Sequence, residues 1–217
     1  MHANPQTAND LSLDRATART RRRYDRLSRY YNLMEWAAER RAFQEWRRHV
    51  WALVGGPAIL EVGVGTGKNI PYYPDGSRVM AIDLSPGMLR HAHELADQRA
   101  ARVDLHEMDV QRLAFPDDSF DTVITTFVFC SVPDPVRGFE QIRRVLRPAG
   151  RGIFLEHVLS GKPGVRQAMR VLNPLLRPMM GANIDRRTRE NIEAAGLTVE
   201  SETDLWLDIV KLFVVRL

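Results

Sequence analysis

Between Leu60 and Gly67 the chain reads LEVGVGTG, and a second apolar run, VMAID, ends at Asp83, twenty residues after Gly63. Gly63, Gly65 and Gly67 have no Cβ, so the backbone there can approach a ligand closely. An acid at the end of the following strand is where an α/β fold offers a carboxylate to two ribose hydroxyls, across the crevice at the carboxyl ends of the strands. Together these residues predict a nucleotide-like ligand. Two familiar glycine loops fail against these letters. The pattern G-x-G-x-x-G, started at Gly63 and Gly65, puts its last glycine on Lys68; a P-loop accepts Gly67-Lys68 but meets Val62 and Asn69 at its flanking positions. What remains is an acid, Glu61, ahead of three alternate glycines.

Such a loop needs strands and helices in alternation to position it. At 217 residues and 44% apolar composition, the chain is one domain with a full core. Strands are predicted over Ala58–Val62, Arg78–Asp83, Val103–Met108, Phe120–Phe127 and Gly152–His157, with two closing strands over Leu197–Leu205 and Ile209–Leu217. Between them, Ser85-Pro86 supplies an N-cap and a first-turn proline for a helix to about Arg99; Val136–Leu146 and Arg186–Ala195 give two more. The pattern predicts an α/β fold, a doubly wound seven-stranded and mostly parallel sheet with an antiparallel edge strand. Upstream, residues 1–14 read as a flexible tail. Residues 15–54 read as a helical lid of two helices that break near Asn32, stopped by Gly55-Gly56-Pro57. The core is 55–217, with an insertion at 160–182.

Composition narrows the partners. No apolar run approaches the roughly 18 residues of a membrane span, and the N-terminus lacks the apolar stretch of a signal peptide, so a cytoplasmic location is expected. Cys130 is the single cysteine, set in the apolar string VITTFVFCSV, and reads as a buried core thiol. His91 and His93 face different ways on a predicted helix, and His2, His49 and His106 have no clustered partner, so no metal site is expected. Net charge is +4, but residues 15–48 hold eleven arginines against four acids, a local balance of +7. That cluster suits a phosphate-bearing substrate, an anionic membrane surface or nucleic acid, or is a solvated helix surface.

The string E-x-G-x-G-x-G resembles the first motif of the class I S-adenosylmethionine-dependent methyltransferases. The resemblance continues through EMDVQRLAFPDDSFDTVITTFVFCSVPD and VLRPAGRGIFLEHV, covering roughly residues 58–158 in the family's order. It implies a Rossmann-like methyltransferase fold that binds S-adenosylmethionine and releases S-adenosylhomocysteine. The cofactor residues it implies are Glu61, Gly63, Gly65, Gly67, Asp83 on the ribose, Leu84, Met88, Asp109 on the adenine amino group, Val110 and Thr126.

For the acceptor, RRRYDRLSRYYNLME at 21–35, LEVGVGTGKNIPYYP at 60–74 and GANIDRRTRENIEAAGL at 181–197 are similar to bacterial phospholipid N-methyltransferases, which methylate phosphatidylethanolamine. The Tyr-Asp-x-x-(Ser/Ala)-x-x-Tyr string also occurs in quinone C-methyltransferases, and TFVFCSV with GANIDR resembles membrane-associated alkyl-thiol methyltransferases. An ethanolamine ammonium, with a pKa on the order of 10, must lose a proton before it attacks. Related phosphoethanolamine methyltransferases use a Tyr–His pair; His157 with Tyr24 or Tyr31 is the corresponding candidate, and aromatic faces suit the growing cation. Tyr24 and Tyr31 also lie on one helical face and fit simple packing of the lid. Arg186, near a helix N-terminus, is a candidate for the lipid phosphate. The 164–180 stretch, apolar and basic with two prolines, fits a broken helix at a membrane interface, a cap over a soluble pocket or a dimer contact. A nucleic-acid methyltransferase is disfavoured because SVPDP stands where Asn/Asp-Pro-Pro-Tyr/Phe belongs. A noncatalytic membrane-binding module leaves Glu61, Asp83 and Asp109 without a purpose.

Overall fold

The computed structural model describes residues 5–38, 43–180 and 183–217. Seven strands form one sheet: β1 (Ala58–Val62), β2 (Arg78–Asp83), β3 (Val103–Glu107), β4 (Phe120–Thr126), β5 (Leu146–His157), β6 (Thr198–Trp206) and β7 (Val210–Arg216). Their order is β3-β2-β1-β4-β5-β7-β6. The first five pair in parallel, and β7 runs antiparallel to both β5 and β6. The antiparallel edge is therefore a β6–β7 hairpin, with β7 inserted beside β5. Strand order reverses between β1 and β4, so the chain leaves their carboxyl ends in opposite directions and opens a crevice there.

The central strands are apolar on both faces, as a sheet covered by helices requires. One face packs Leu60, Val123, Phe139, Ile142, Phe154 and Phe213; the other packs Val50, Trp51, Ile59, Leu89, Ile124 and Ile153. Helix α3 (Pro86–Arg99) starts at Ser85, whose Oγ accepts from the Met88 N–H at 3.2 Å, with Pro86 at the first helical position, and ends at Ala100 with φ +49°. Helix α4 (Pro135–Val145) follows the same scheme, with Asp134 as its cap. Phe129 stacks on Phe139 of α4 with ring centroids 3.6 Å apart. Cys130 is buried beside them, and burial pushes its thiol up to about 12.

Four sequence expectations differ from the structure. Helix α1 runs unbroken over Pro5–Ala38, so the stretch expected as a flexible tail is helical from Pro5 and no break occurs near Asn32. Proline suits the first turn, and the polar residues after it are anchored by ion pairs to the core: Asp10 with Arg137, Asp14 with Arg112, and Arg21 with Glu107. Helix α2 (Gln44–Ala52) completes the lid stretch, while residues 39–42 of the lid and 181–182 of the insertion lie outside the described residues. Strand β5 begins at Leu146, not Gly152, because Leu146 already pairs with Phe120 ahead of a bulge. Helix α5 (Pro163–Met180) is one helix through both internal prolines, where a broken one was expected. Helix α6 (Thr188–Ala194) follows, two residues later than predicted.

Candidate cofactor and acceptor site

A cleft of about 750 Å³, including space continuous with solvent, opens at the carboxyl ends of β1, β2, β3 and β4. The sequence-predicted Gly63, Gly65, Asp83, Leu84, Met88, Asp109, Val110 and Thr126 all line it, and so do Tyr24 and Tyr31 from α1.

The three glycines serve different ends. Gly63 has φ +73°, and a Cβ there would meet Val128 Cγ2 at 2.4 Å; at Gly67 a Cβ would meet Ile70 Cδ1 at 2.7 Å and Ala92 Cα at 3.1 Å. Both allow close packing of the loop against its own protein. Gly65 has φ +57° and nothing within 4 Å of the added Cβ, so its freedom faces open space in the cleft. Gly67 is not among the residues lining the cleft.

Asp83 is bonded within this loop. Its Oδ2 accepts from the Gly65 N–H at 2.9 Å and its Oδ1 from the Ser85 N–H at 2.8 Å. Loss of water beneath α1 pushes its pKa up to about 6, against the opposing pull of those N–H groups. Asp109 lies at the other end of the cleft, its Oδ1 accepting from the Gln111 N–H at 2.9 Å. The buried Gln111 side chain also donates to both Asp109 oxygens and to Thr17 Oγ1 of α1, and accepts from the Asp134 N–H. Glu61 does not line the cleft. It is buried behind the loop, where its carboxylate accepts from Asn69 Nδ2 at 2.7 Å and from the Tyr73 hydroxyl; burial raises its pKa. Asn69 also donates to Thr126 Oγ1 and accepts from Arg47. Glu61 thus holds the loop's shape through Asn69.

Helix α1 roofs the cleft. The Tyr24 hydroxyl shares a hydrogen bond with Ser131 Oγ, and burial raises its pKa. Lys68 Nζ sits 5.9 Å over the Tyr31 ring. Asp25 Oδ1 accepts from Ser85 Oγ at 2.6 Å and from the Gly87 N–H at 2.9 Å, tying α1 to the start of α3.

Two expected acceptor residues stand apart. His157 lines no part of the cleft. By strand alternation it is on the face of Ile153 and Leu155, and its buried Nδ1 has no partner among the described residues. Its pKa is lowered by burial. The Tyr–His pair is therefore not brought into hydrogen bonding. Arg186 lies behind the cleft wall, where its Nη2 donates to the Val132 carbonyl at 2.5 Å. Sequence reasoning missed Ser131, Gln111, Asn69 and Asp25. Of these, Asp25, the acid of the Tyr-Asp-x-x-(Ser/Ala)-x-x-Tyr string, Ser131, polar within an apolar string, and Gln111, two residues after Asp109, carried a local signal.

The described residues contain no group of acids, histidines and cysteines able to hold a metal. Fold and site define a doubly wound α/β domain with a cleft at the carboxyl ends of its strands, lined by two carboxylates, Asp83 and Asp109, and open at Gly65.

A family model described as a methyltransferase domain matches residues 60–154. A phosphatidylethanolamine N-methyltransferase of Cereibacter sphaeroides is 38% identical over 49% of this chain and 54% of its own length. A thiol S-methyltransferase of Rattus norvegicus is 34% identical over 63% of this chain and 58% of its own. A demethylmenaquinone methyltransferase of Thermus thermophilus is 33% identical over 75% of this chain and 73% of its own. The solved structure of a SAM dependent methyltransferase from Aquifex aeolicus shares the fold, with a TM-score of 0.57 at 18% identity over 76% of this chain and 84% of that one. The chain belongs to the class I S-adenosylmethionine-dependent methyltransferases. It spans little more than half the length of the first two relatives.

Proposed function

We propose that the protein N-methylates phosphatidylethanolamine towards phosphatidylcholine, acting peripherally at the cytoplasmic face of a membrane. The observation that carries this reading is the placement of Tyr24 and Tyr31 in one cleft with Gly65, Asp83 and Asp109. Asp83 holds the ribose and Asp109 the adenine, while Leu84, Met88 and Val110 pack the ring. When bound, S-adenosylmethionine would supply a sulfonium methyl group open to in-line attack by the acceptor, with the C–S bond breaking to leave the neutral thioether of S-adenosylhomocysteine.

The chain's part is to bind and orient. The Tyr31 ring already faces one cation, Lys68, and its aromatic face suits an ammonium that becomes quaternary, worth about 0.5–2 kcal/mol. With its pKa raised, the Tyr24 hydroxyl stays neutral, so it orients the amine by accepting its N–H while it donates to Ser131. Membrane contact is supported by α5, where Val171, Leu172 and Leu175 are exposed. No described helix is long and apolar enough to cross a membrane.

A second reading, quinone C-methylation, is favoured by the length of the match to the demethylmenaquinone enzyme, since a phenolic ring also stacks on tyrosines. Labelled S-adenosylmethionine with mixed vesicles containing phosphatidylethanolamine, demethylmenaquinone and an alkyl thiol separates them. The expected product is mono-, di- or trimethylated head group; label recovered only in the quinone or the thiol overturns the phospholipid reading.

A further inference from the structure

A second concave surface lies on the same edge of the sheet. It is formed by the 158–161 loop after β5, the first half of α5, residues 186–190 and the start of β7. Val210 of β7 pairs with His157, so this groove sits over the carboxyl end of β5. Strand β5 is adjacent to β4, which ends in the cofactor cleft, and neighbouring strands are about 4.8 Å apart. Arg186 lines the groove and bonds Val132, which lines the cleft, so the two share a wall.

The charges in the groove are unequally committed. Glu202 pairs with Arg189 and Lys211, and Glu190 with Arg187. Asp208 accepts from Ser160 Oγ and the Gly161 N–H. Arg166 donates to the carbonyls of Ser160 and Gly161, which fixes its guanidinium without neutralising it. Arg170, one turn further along α5, has no carboxylate partner among the described residues. Two uncompensated guanidinium groups, one held rigidly by backbone, face a concave surface beside the methyl-donor site.

We propose that this groove binds the phosphate of the acceptor, with Arg170 and Arg166 as its cations, so that the reacting end of the same molecule reaches across Val132 into the cleft. A planar guanidinium matches two phosphate oxygens, and a phosphodiester brings negative charge to a groove with an excess of cations. The inference rests on the phospholipid reading for the source of the phosphate; a soluble phosphate ester has the same chemistry. Arg186 is then part of the wall that orients the acceptor, and Arg170 binds its anion.

The test uses the full chain and its Arg170→Glu variant, an exposed position where charge reversal disturbs no packing. Calorimetric titration with glycerophosphoethanolamine, with inorganic phosphate and with S-adenosylmethionine is paired with steady-state methylation of phosphatidylethanolamine vesicles. Arg170→Glu is expected to weaken glycerophosphoethanolamine at least about tenfold, the scale of one charged hydrogen bond, with S-adenosylmethionine affinity unchanged. It should also raise the KM for vesicles more than it lowers kcat. Equal binding by both proteins, or no binding by either, overturns the groove. Methylation of phosphatidylethanolamine with a KM indifferent to Arg170→Glu also overturns it while leaving the acceptor reading intact. Head-group binding that is lost in the variant, without methylation of any phosphatidylethanolamine, supports the groove and overturns that acceptor. Binding of inorganic phosphate alone overturns its assignment to the acceptor.

Discussion

Asp83 closes the glycine loop in the free protein, and the proposed function gives the same carboxylate a second purpose, as the acid offered to the ribose. Only the ionised form can accept from the loop and from both hydroxyls. With its pKa near 6, S-adenosylmethionine affinity should fall as pH drops through that value, by about tenfold one pH unit below it. Calorimetry across about pH 5 to 8 checks this, and Asp83→Ala should abolish binding throughout; a flat profile with unchanged variant affinity sinks the ribose assignment. Asp83, Gly63 and Gly65 were legible in the sequence because a strand, a turn and a second strand place them by local rules. Glu61 was legible as part of the motif, but its position behind the loop was not. That position depends on Asn69 and Tyr73, whose reach back to Glu61 is set by how the chain folds after the glycines. His157 was placed at the correct strand end, yet the facing of its side chain depends on the register of β5 with β7.

At the scale of elements, α1 is the part that sequence periodicity described least well. Its polar first turns look like a tail until Arg112 and Arg137 of the core are seen opposite Asp14 and Asp10. Asp25, Thr17 and Tyr24 each meet a partner sixty or more residues away, which no local pattern announces. Asp25 is the strongest tie, because it satisfies both Ser85 Oγ and the Gly87 N–H, and Gly87 lets α1 approach so closely that a Cβ would come within 2.7 Å of Ser28 Oγ. Asp25→Ala leaves those donors unpaired, a cost of about 1–3 kcal/mol. The expected outcome is faster hydrogen exchange across α1 with β1 and β4 unchanged, together with faster release of S-adenosylmethionine. Unaltered exchange in α1 would show that the ion pairs and the Tyr24 and Thr17 hydrogen bonds seat it without Asp25. The strands other than β5, together with α3, were legible to within a residue or two, since their apolar runs and caps are local signals. β5 was read short because the sheet partner that recruits Leu146 is the distant Phe120.

Over the whole molecule, the cleft and the groove share one edge of the sheet, and α5 rises beside them with an unusual surface. Val165, Ala168, Val171, Leu172 and Leu175 fall within about 120° of its circumference. Val165, Val171, Leu172 and Leu175 are exposed, whereas Met169 and Asn173 face inward. The sequence showed that this stretch is apolar and basic; which residues face solvent depended on the docking of Asn173 against Ile184 and Asp185. If that stripe seats the protein on a bilayer, Leu172→Glu with Leu175→Glu should weaken binding to anionic vesicles in co-sedimentation at least about a hundredfold, since each of the two leucines buried is worth about 1.5–3 kcal/mol. S-adenosylmethionine affinity should be unchanged; co-sedimentation equal to that of the parent would exclude α5 as the contact. The glycine loop has one more consequence at this scale. Its Gly63 and Val64 N–H groups both donate to the Ile82 carbonyl, and its Gly65 N–H to Asp83, before any ligand is bound. The Asp83 carboxylate, which accepts from the N–H groups of Ser85, Gly65 and Leu84, has about four acceptor positions and so is not saturated by the loop. On the proposed reading, a ligand that meets this preformed floor has little of it left to order, so the residence time of the cofactor is expected to follow the seating of the roof above it.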